Sequence, residues 1–395
     1  MKLYFSLTPN LSFGGNMTAT SKKISIDRRT FLKGMGALGA ASAMGLGFPS
    51  ISLGKGHVDR SRLAKTLSFS SYGGSWQENL TKAVLEPFEK KYGVRIIQSS
   101  HGGEEEILAK IRVGGKGDYD LVTINESGYY PGVKQGLFNN LNLENIPNQK
   151  NIMSPLKKPI YDPDFAKDGK TRSVPSVFGT TALTYNTQNV TPAPDSWAVC
   201  WDKKYARKIA MNEIAWYRVF TTALYLGEDP NNVKNWTALW DAVRQQHKLV
   251  LKYWSSGMEM QQLFTNKEIY LGEFWSGRTL NLKGKGTPVD YVIPKEGAST
   301  WVEVWCVPKG SKKQYTAEVL LNYLLDPEVG AHLSELTQYP CALNPSVYKV
   351  TDSIRNLPDF DPTGTLEKYK FVDYGYKEAN NAEWTEKFTE IRMGG

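Results

Sequence analysis

Tyr270-Leu-Gly-Glu-Phe-Trp-Ser-Gly277 and Trp301-Val-Glu-Val-Trp-Cys-Val-Pro308 read as two strands separated by a Gly- and Lys-rich connection. Trp275 is followed by Ser-Gly, a turn-forming pair. Trp301, Glu303 and Trp305 alternate, so a strand here places all three on one face. A carboxylate between aromatic rings is a receptor for an organic cation. The rings offer apolar area and an attractive quadrupole, and the carboxylate offers the counter-charge. Ordinary packing produces the same pattern if Trp301 and Trp305 lie in a core and Glu303 sits at a solvated edge.

Upstream, Ser173-Val-Pro-Ser-Val-Phe-Gly-Thr-Thr-Ala-Leu-Thr-Tyr-Asn186 is an extended run interrupted by Pro175 and Gly179, long enough to pass from one domain into another. The chain before it opens β-α-β-α-β. Residues 65–71 alternate into Tyr72-Gly-Gly-Ser75, with Ser75 a suitable N-cap. Trp76, Leu80, Ala83, Val84 and Phe88 recur at helical spacing; Pro87 interrupts the helix and Gly93 ends it. A strand at 94–99, a helix at 104–113 and a strand at 119–124 complete a parallel-sheet pattern. Ligands of such sheets sit at the carboxyl ends of the strands. Those ends carry Tyr72 to Trp76 and Asn125-Glu126-Ser127-Gly-Tyr129-Tyr130, so Tyr72, Trp76, Glu126 and Ser127 are candidate rim residues. Trp76 fits a core position at the start of a helix equally well. Downstream, the pattern predicts a strand at 207–212, a helix at 213–226 and a long helical region at 233–254. A helix at 258–264, strands at 268–275 and 290–294, helices at 315–325 and 327–336, and a closing helix at 383–393 follow.

Length and composition bound the function. A chain of 395 residues is too long for one ordinary domain, and 41% hydrophobic content supplies a real core. The formal charge of +8 is concentrated at the front. Residues 1–43 hold six basic residues against one acid, so the remainder is only weakly basic and is not a nucleic-acid binder. Cys200, Cys306 and Cys341 are widely spaced, show no metal-ligand spacing and allow at most one disulfide. Four histidines, no nucleophile elbow, no HExxH and no phosphate loop argue against an enzyme, and no cofactor motif is present.

Ser25-Ile-Asp-Arg-Arg-Thr-Phe-Leu-Lys33, followed by an apolar run to Gly47, is a twin-arginine export signal. Ala41-Ser42-Ala43 offers a cleavage site, giving a signal peptide over 1–43, and Met17 is an alternative start. The run is too short to span a membrane. Gly34-Met-Gly36-Ala-Leu-Gly39 matches a dinucleotide fingerprint only formally, because no strand precedes it. The destination is the periplasm.

The ordered set Tyr72-Gly-Gly-Ser-Trp76, Leu85-Glu-Pro-Phe-Glu-Lys-Lys-Tyr-Gly-Val94, Phe274-Trp-Ser-Gly277, Val292-Ile-Pro-Lys-Glu-Gly297, Trp301-Val-Glu303 and Leu321-Asn-Tyr-Leu-Leu-Asp-Pro-Glu328 resembles the spermidine/putrescine-binding group of ABC-importer solute-binding proteins. The resemblance spans residues 66–345. It implies an α/β, two-lobe periplasmic binding protein-like fold (type II), with lobes of 64–180 plus 300–328 and 181–299 plus 329–395. Crossing strands would join them near 173–184 and 299–307. It implies a monomeric receptor that closes on a small-molecule solute and delivers it to ABC permease subunits. By the same resemblance Trp275 stacks on the solute, Trp301 and Glu303 form an aromatic–acid pair, and Tyr339 and Trp76 line the cleft. Where the polyamine binders have a second acid before Val-Phe, this chain has Arg218. An arginine repels a second ammonium and suits a carboxylate, so the expected ligand carries an amine and an acid, unless Arg218 faces solvent or pairs with Glu213. A ferric-ion binder using Tyr129 and Tyr130 is the nearer alternative.

Overall fold

The computed structural model describes residues 58–113, 118–157, 161–367 and 369–394. The twin-arginine segment, the glycine-rich run at 34–39 and the cleavage site at 41–43 lie outside them. The expected opening is present as β1 (Thr66–Ser71), α1 (Gly74–Leu80), α2 (Glu86–Tyr92), β2 (Arg95–Ser100), α3 (Glu104–Val113) and β3 (Leu121–Asn125). β1 pairs in parallel with both β2 and β3. Pro87 has no N–H for the carbonyl one turn back, and the residues ahead of it, Thr81–Leu85, are wound as a π turn that joins α1 to α2. Gly93 closes α2 in the left-handed region. Ser75 does not cap α1; the helix starts one residue earlier, behind Gly73 at φ 72°. Directly after β3 comes α4 (Glu126–Lys134), capped by Asn125, whose side chain accepts from the Ser127 N–H at 2.7 Å.

The long extended run is β4 (Ser173–Asn186), every residue of it buried. At ~3.3 Å per residue it spans about 46 Å. Then follow β5 (Ile209–Asn212), α5 (Ala215–Tyr225), α6 (Trp236–His247), β6 (Val250–Trp254), α7 (Gly257–Thr265), β7 (Leu271–Trp275), α8 (Ser276–Gly284), β8 (Val289–Val292) and β9 (Ser299–Cys306). The chain closes with α9 (Gln314–Leu324), α10 (Pro327–Thr337), β10 (Lys370–Phe371) and α11 (Tyr374–Arg392). The strand order β2-β1-β3-β9-β4-β7-β5-β6 shows how the lobes join. Lobe 1 owns β2-β1-β3 and lobe 2 owns β7-β5-β6, each parallel within itself. β9 and β4 run antiparallel between them. The first part of β4 pairs with β9 from Ser173–Cys306 to Thr181–Ser299, and its last part pairs with β7 from Thr181–Trp275 to Tyr185–Leu271. Thr181 is the handover. The β4–β9 ladder is irregular at Pro175–Val177, where proline has no amide to donate.

Three elements differ from the sequence expectation. The helical region at 233–254 is a helix followed by a strand, because Val250–Trp254 is a short apolar run whose period cannot separate helix from strand. Ser276-Gly277 starts α8 instead of making a turn. Gly277 is there for close approach: a Cβ would lie 2.6 Å from the Tyr339 ring and 2.8 Å from the Thr337 carbonyl oxygen. The segment from residue 329, expected in lobe 2, packs first on elements of lobe 1. α10 packs on α1 and the π turn of lobe 1, with Asn79 Nδ2 donating to the Leu336 carbonyl at 2.8 Å. Ala342 N–H then donates to the Ser176 carbonyl beside the first part of β4. Thr337 and Tyr339 already touch Gly277 of α8, Asp359 accepts from the Ser276 hydroxyl, and β10, which pairs with β9 at Ser299, and α11, which packs on α5 and α6, follow. Periodicity identifies an amphipathic helix but not the half of the sheet that it covers.

Candidate functional site

The register of the crossing strands assembles the site. Glu303 on β9 lies opposite Asn125 on β3 and Val177 on β4, Trp301 lies opposite Gly179, and Thr181 lies opposite Trp275. Gly179 makes room for an indole: a Cβ there would sit 2.6 Å from the Trp301 ring and 3.0 Å from Tyr339. Trp301 packs edge-on against Tyr339, centroids 4.7 Å apart, and Trp76 meets the same tyrosine at 6.2 Å. Trp305 does not share this role. Although it alternates with Trp301, it lies fully buried against Phe69, at 5.0 Å in the core of lobe 1.

Glu303 is buried, not at a solvated edge, and its Oε1 has no hydrogen-bond partner. Burial pushes its carboxyl well above the usual range, the like charges of Glu104 and Glu126 add to this, and the Thr123 and Tyr72 hydroxyls oppose it. Glu126 is also buried. Its Oε2 accepts from the Val302 N–H at 2.7 Å and its Oε1 from the Tyr374 hydroxyl at 2.7 Å. Burial outweighs these bonds and raises its carboxyl to about 7. The Tyr72 hydroxyl accepts from the Asn125 N–H at 2.8 Å and donates to Glu104 at 3.0 Å. The Ser127 hydroxyl donates to Asn125 Oδ1 at 2.5 Å, so it is part of the α4 cap. Trp301 Nε1 and Trp76 Nε1 are buried and unpaired. Lobe 1 and the crossing strands therefore present an acidic wall set among rings.

The wall from lobe 2 is different. Trp275 is wedged edge-on against Trp254 at 5.3 Å, with Gly257 leaving space for its ring. Trp216 and Tyr217 at the start of α5 stack at 3.7 Å, and the Tyr217 hydroxyl lies beside Thr181 and Trp275. Lys377, in the first turn of α11, holds its ammonium 4.8 Å from the Trp216 ring centroid and 5.0 Å from that of Tyr374. Arg278 on α8 reaches across to donate to the Ser75 hydroxyl at 3.2 Å.

Arg218 is not brought to this cluster. It is fully buried within lobe 2, where its guanidinium forms an ion pair with Glu273 on β7 and donates to Gln246 Oε1 at 3.0 Å. Glu273 also accepts from Thr221 and from the Asn212 N–H, both at 2.9 Å. Neither a ligand carboxylate nor Glu213 is its partner. Position 218 falls on the face of α5 turned toward β7, and the residue turned to the cleft is its neighbour Tyr217. The ferric alternative fails on the same kind of geometry. Tyr129 is buried and donates to Asp162 Oδ2 at 2.5 Å, while Tyr130 packs against Tyr374 at 5.9 Å. Consecutive residues of a helix do not face one another, so the two phenolates cannot grip one ion. The three cysteines are buried and free.

Glu104, Trp216, Tyr217, Tyr374 and Lys377 were not among the sequence candidates. Glu104 had a local signal, an acid opening a helix at a strand's carboxyl end. Tyr374 and Lys377 had none, because α11 starts ten residues before its apolar spacing becomes visible at Trp384.

Residues 83–362 match the bacterial extracellular solute-binding protein family, and residues 25–45 match the twin-arginine translocation pathway signal sequence. The chain is 28% identical over 278 residues to the spermidine/putrescine-binding periplasmic protein of Escherichia coli strain K12, covering 68% of this chain and 76% of that one. Its fold is that of the spermidine/putrescine ABC transporter substrate-binding protein of Streptococcus pneumoniae, with TM-score 0.70 and 20% identity over 83% of this chain and 100% of that one. An ABC transporter substrate-binding protein of Bradyrhizobium japonicum gives TM-score 0.72 and 21% identity over 83% and 99%. The chain thus belongs to the bacterial extracellular solute-binding proteins, and it is a type II, two-lobe periplasmic receptor exported by the twin-arginine pathway.

Proposed function

We propose that this receptor is the substrate-binding component of an ABC importer and captures a small solute bearing a protonated amine, which its permease then accepts. It acts as a monomeric receptor and not as an enzyme. The observation that carries the reading is the unpaired Oε1 of buried Glu303, held beside Trp301 and within the field of two further carboxylates. A desolvated carboxylate oxygen without a partner is unfavourable. An ammonium placed on it supplies both a hydrogen bond and a counter-charge, and the ring faces accommodate its carbon chain. The relatives named for spermidine and putrescine support the amine.

Closure follows from the same groups. A solute that bridges the acidic wall and the lobe-2 rings holds the lobes together about β4 and β9, a hinge motion. Burial raises the Glu303 carboxyl, and an ammonium docked beside it favours the ionised form, so amine binding is coupled to proton release. The test is isothermal titration of the mature protein with amine ligands in buffers of different ionisation enthalpy. Glu303→Gln, which keeps the shape, should weaken amine binding by about 1.5–3 kcal/mol and abolish the buffer dependence. Equal affinity of wild type and variant for every amine bound would remove Glu303 from the site.

A further inference from the structure

The two walls of the cleft carry opposite charge. Glu104, Glu126 and Glu303 come from lobe 1 and the crossing strand, and Lys377 and Arg278 come from lobe 2. Lys377 is the informative member. Among the described residues its ammonium lies over the faces of Trp216 and Tyr374, with no salt bridge or side-chain hydrogen bond. The residue is partly buried, and the carboxylates whose charge it feels are Glu126 and Glu104. Helix stability does not explain it, because a cation in the first turn opposes the dipole of a 19-residue helix and the backbone amides there favour an anion. The Tyr374 hydroxyl, bonded to Glu126 at 2.7 Å, fixes this turn against lobe 1. The lysine is thereby held between this turn and the Trp216 ring of α5.

We infer that Lys377 is the specificity-determining residue that receives an anionic group of the solute, so that the ligand is a zwitterion: ammonium toward Glu303, carboxylate toward Lys377. This rests on the amine reading above and adds the opposite end of the molecule. A diamine would set its second ammonium beside Lys377 and lose affinity by like-charge repulsion, and a dicarboxylate would face Glu303 and Glu126. The arrangement restores the amine-and-acid ligand chemistry expected from Arg218, with the positive charge supplied by a different element.

Three ligands of one chain length separate the possibilities: putrescine, 4-aminobutyrate and succinate, each with its five- and six-carbon homologues. They are titrated into the mature wild type, Lys377→Met, Lys377→Arg and Glu303→Gln. The wild type should prefer an amino acid of the series over the matching diamine by at least about tenfold. Lys377→Met should weaken the amino acid about ten- to a hundredfold and leave the diamine unchanged or tighter, and Lys377→Arg should restore most of the preference. Glu303→Gln should weaken both amines. If the diamine binds tighter than the amino acid, or the preference survives in Lys377→Met, the role of Lys377 is overturned while the amine reading stands. If succinate binds best and Glu303→Gln changes nothing, the amine reading falls as well. Silence from all nine ligands overturns both.

Discussion

Glu303 and Glu126 are two buried carboxyls of the proposed site, both raised by burial. Burial raises Glu126 from its ordinary 4.5 to about 7. Between those values the native state holds a proton that the unfolded chain has released. Its contribution to stability is therefore full below about 4.5 and is lost as the pH rises to about 7. A shift of that size corresponds to roughly 3 kcal/mol. His101 acts in the opposite direction, being buried and lowered to about 4. The native chain lacks its proton there, so stability rises with pH up to the ordinary histidine value. A variant difference isolates the carboxylate: ligand-free Glu126→Gln should gain stability over wild type at pH 7.5 and little at pH 4.5, read by urea unfolding. A gain equal at both values would mean that the carboxyl titrates normally. The same comparison for Glu303→Gln should show a variant that is more stable and binds less well.

At the scale of the element, the crossing strands set the site by register. Gly179 is opposite Trp301 on the cleft face, and the space of its missing side chain is filled by that indole. Gly179→Ala forces Trp301 and Tyr339 aside without disturbing the ladder, because the strand backbone does not need glycine's conformational freedom there. Ligand affinity should fall at least about tenfold, with the unfolding midpoint changed far less than by a core truncation. Retained affinity would show that Trp301 can be displaced without loss and is not a ligand contact. The ion pair of Arg218 and Glu273 is the counterpart inside lobe 2. It ties α5 to β7 and thereby fixes which face of α5, with Trp216 and Tyr217, lines the cleft.

At the scale of the molecule, the two lobes meet through few polar contacts. Arg278 to Ser75 crosses the cleft, Tyr374 to Glu126 crosses beside it, and Lys134 pairs with Glu378 at 2.6 Å on the outside. Exposed pairs such as the last contribute little. The Arg278 contact exists only when the lobes are together, so it affects dissociation more than encounter. Arg278→Ala should speed ligand release about two- to tenfold with an unchanged association rate, measured by stopped-flow tryptophan fluorescence. Slower association with unchanged release would place Arg278 in steering the solute instead of in holding the lobes closed.

The amino-acid sequence by itself determined the compartment, the β-α-β-α-β opening and the two crossing strands, and it singled out Trp301 and Glu303 as candidates. These are local signals: a twin-arginine motif, helical and strand periods, and an extended run too long for one domain. Tertiary structure decided what the walls of the cleft are made of. Arg218 and Tyr217 are adjacent in sequence, and only the rotation of α5 against β7 sends one into an ion pair and the other toward Thr181 and Trp275 at the proposed site. Trp301 and Trp305 have the same strand parity, yet one packs on Tyr339 at the proposed site and the other fills the core against Phe69, because β9 passes from the hinge into lobe 1 along its length. Lys377 lies 74 residues beyond Glu303 and meets the same cleft only because α11 folds back across the lobes, a placement that no local period encodes.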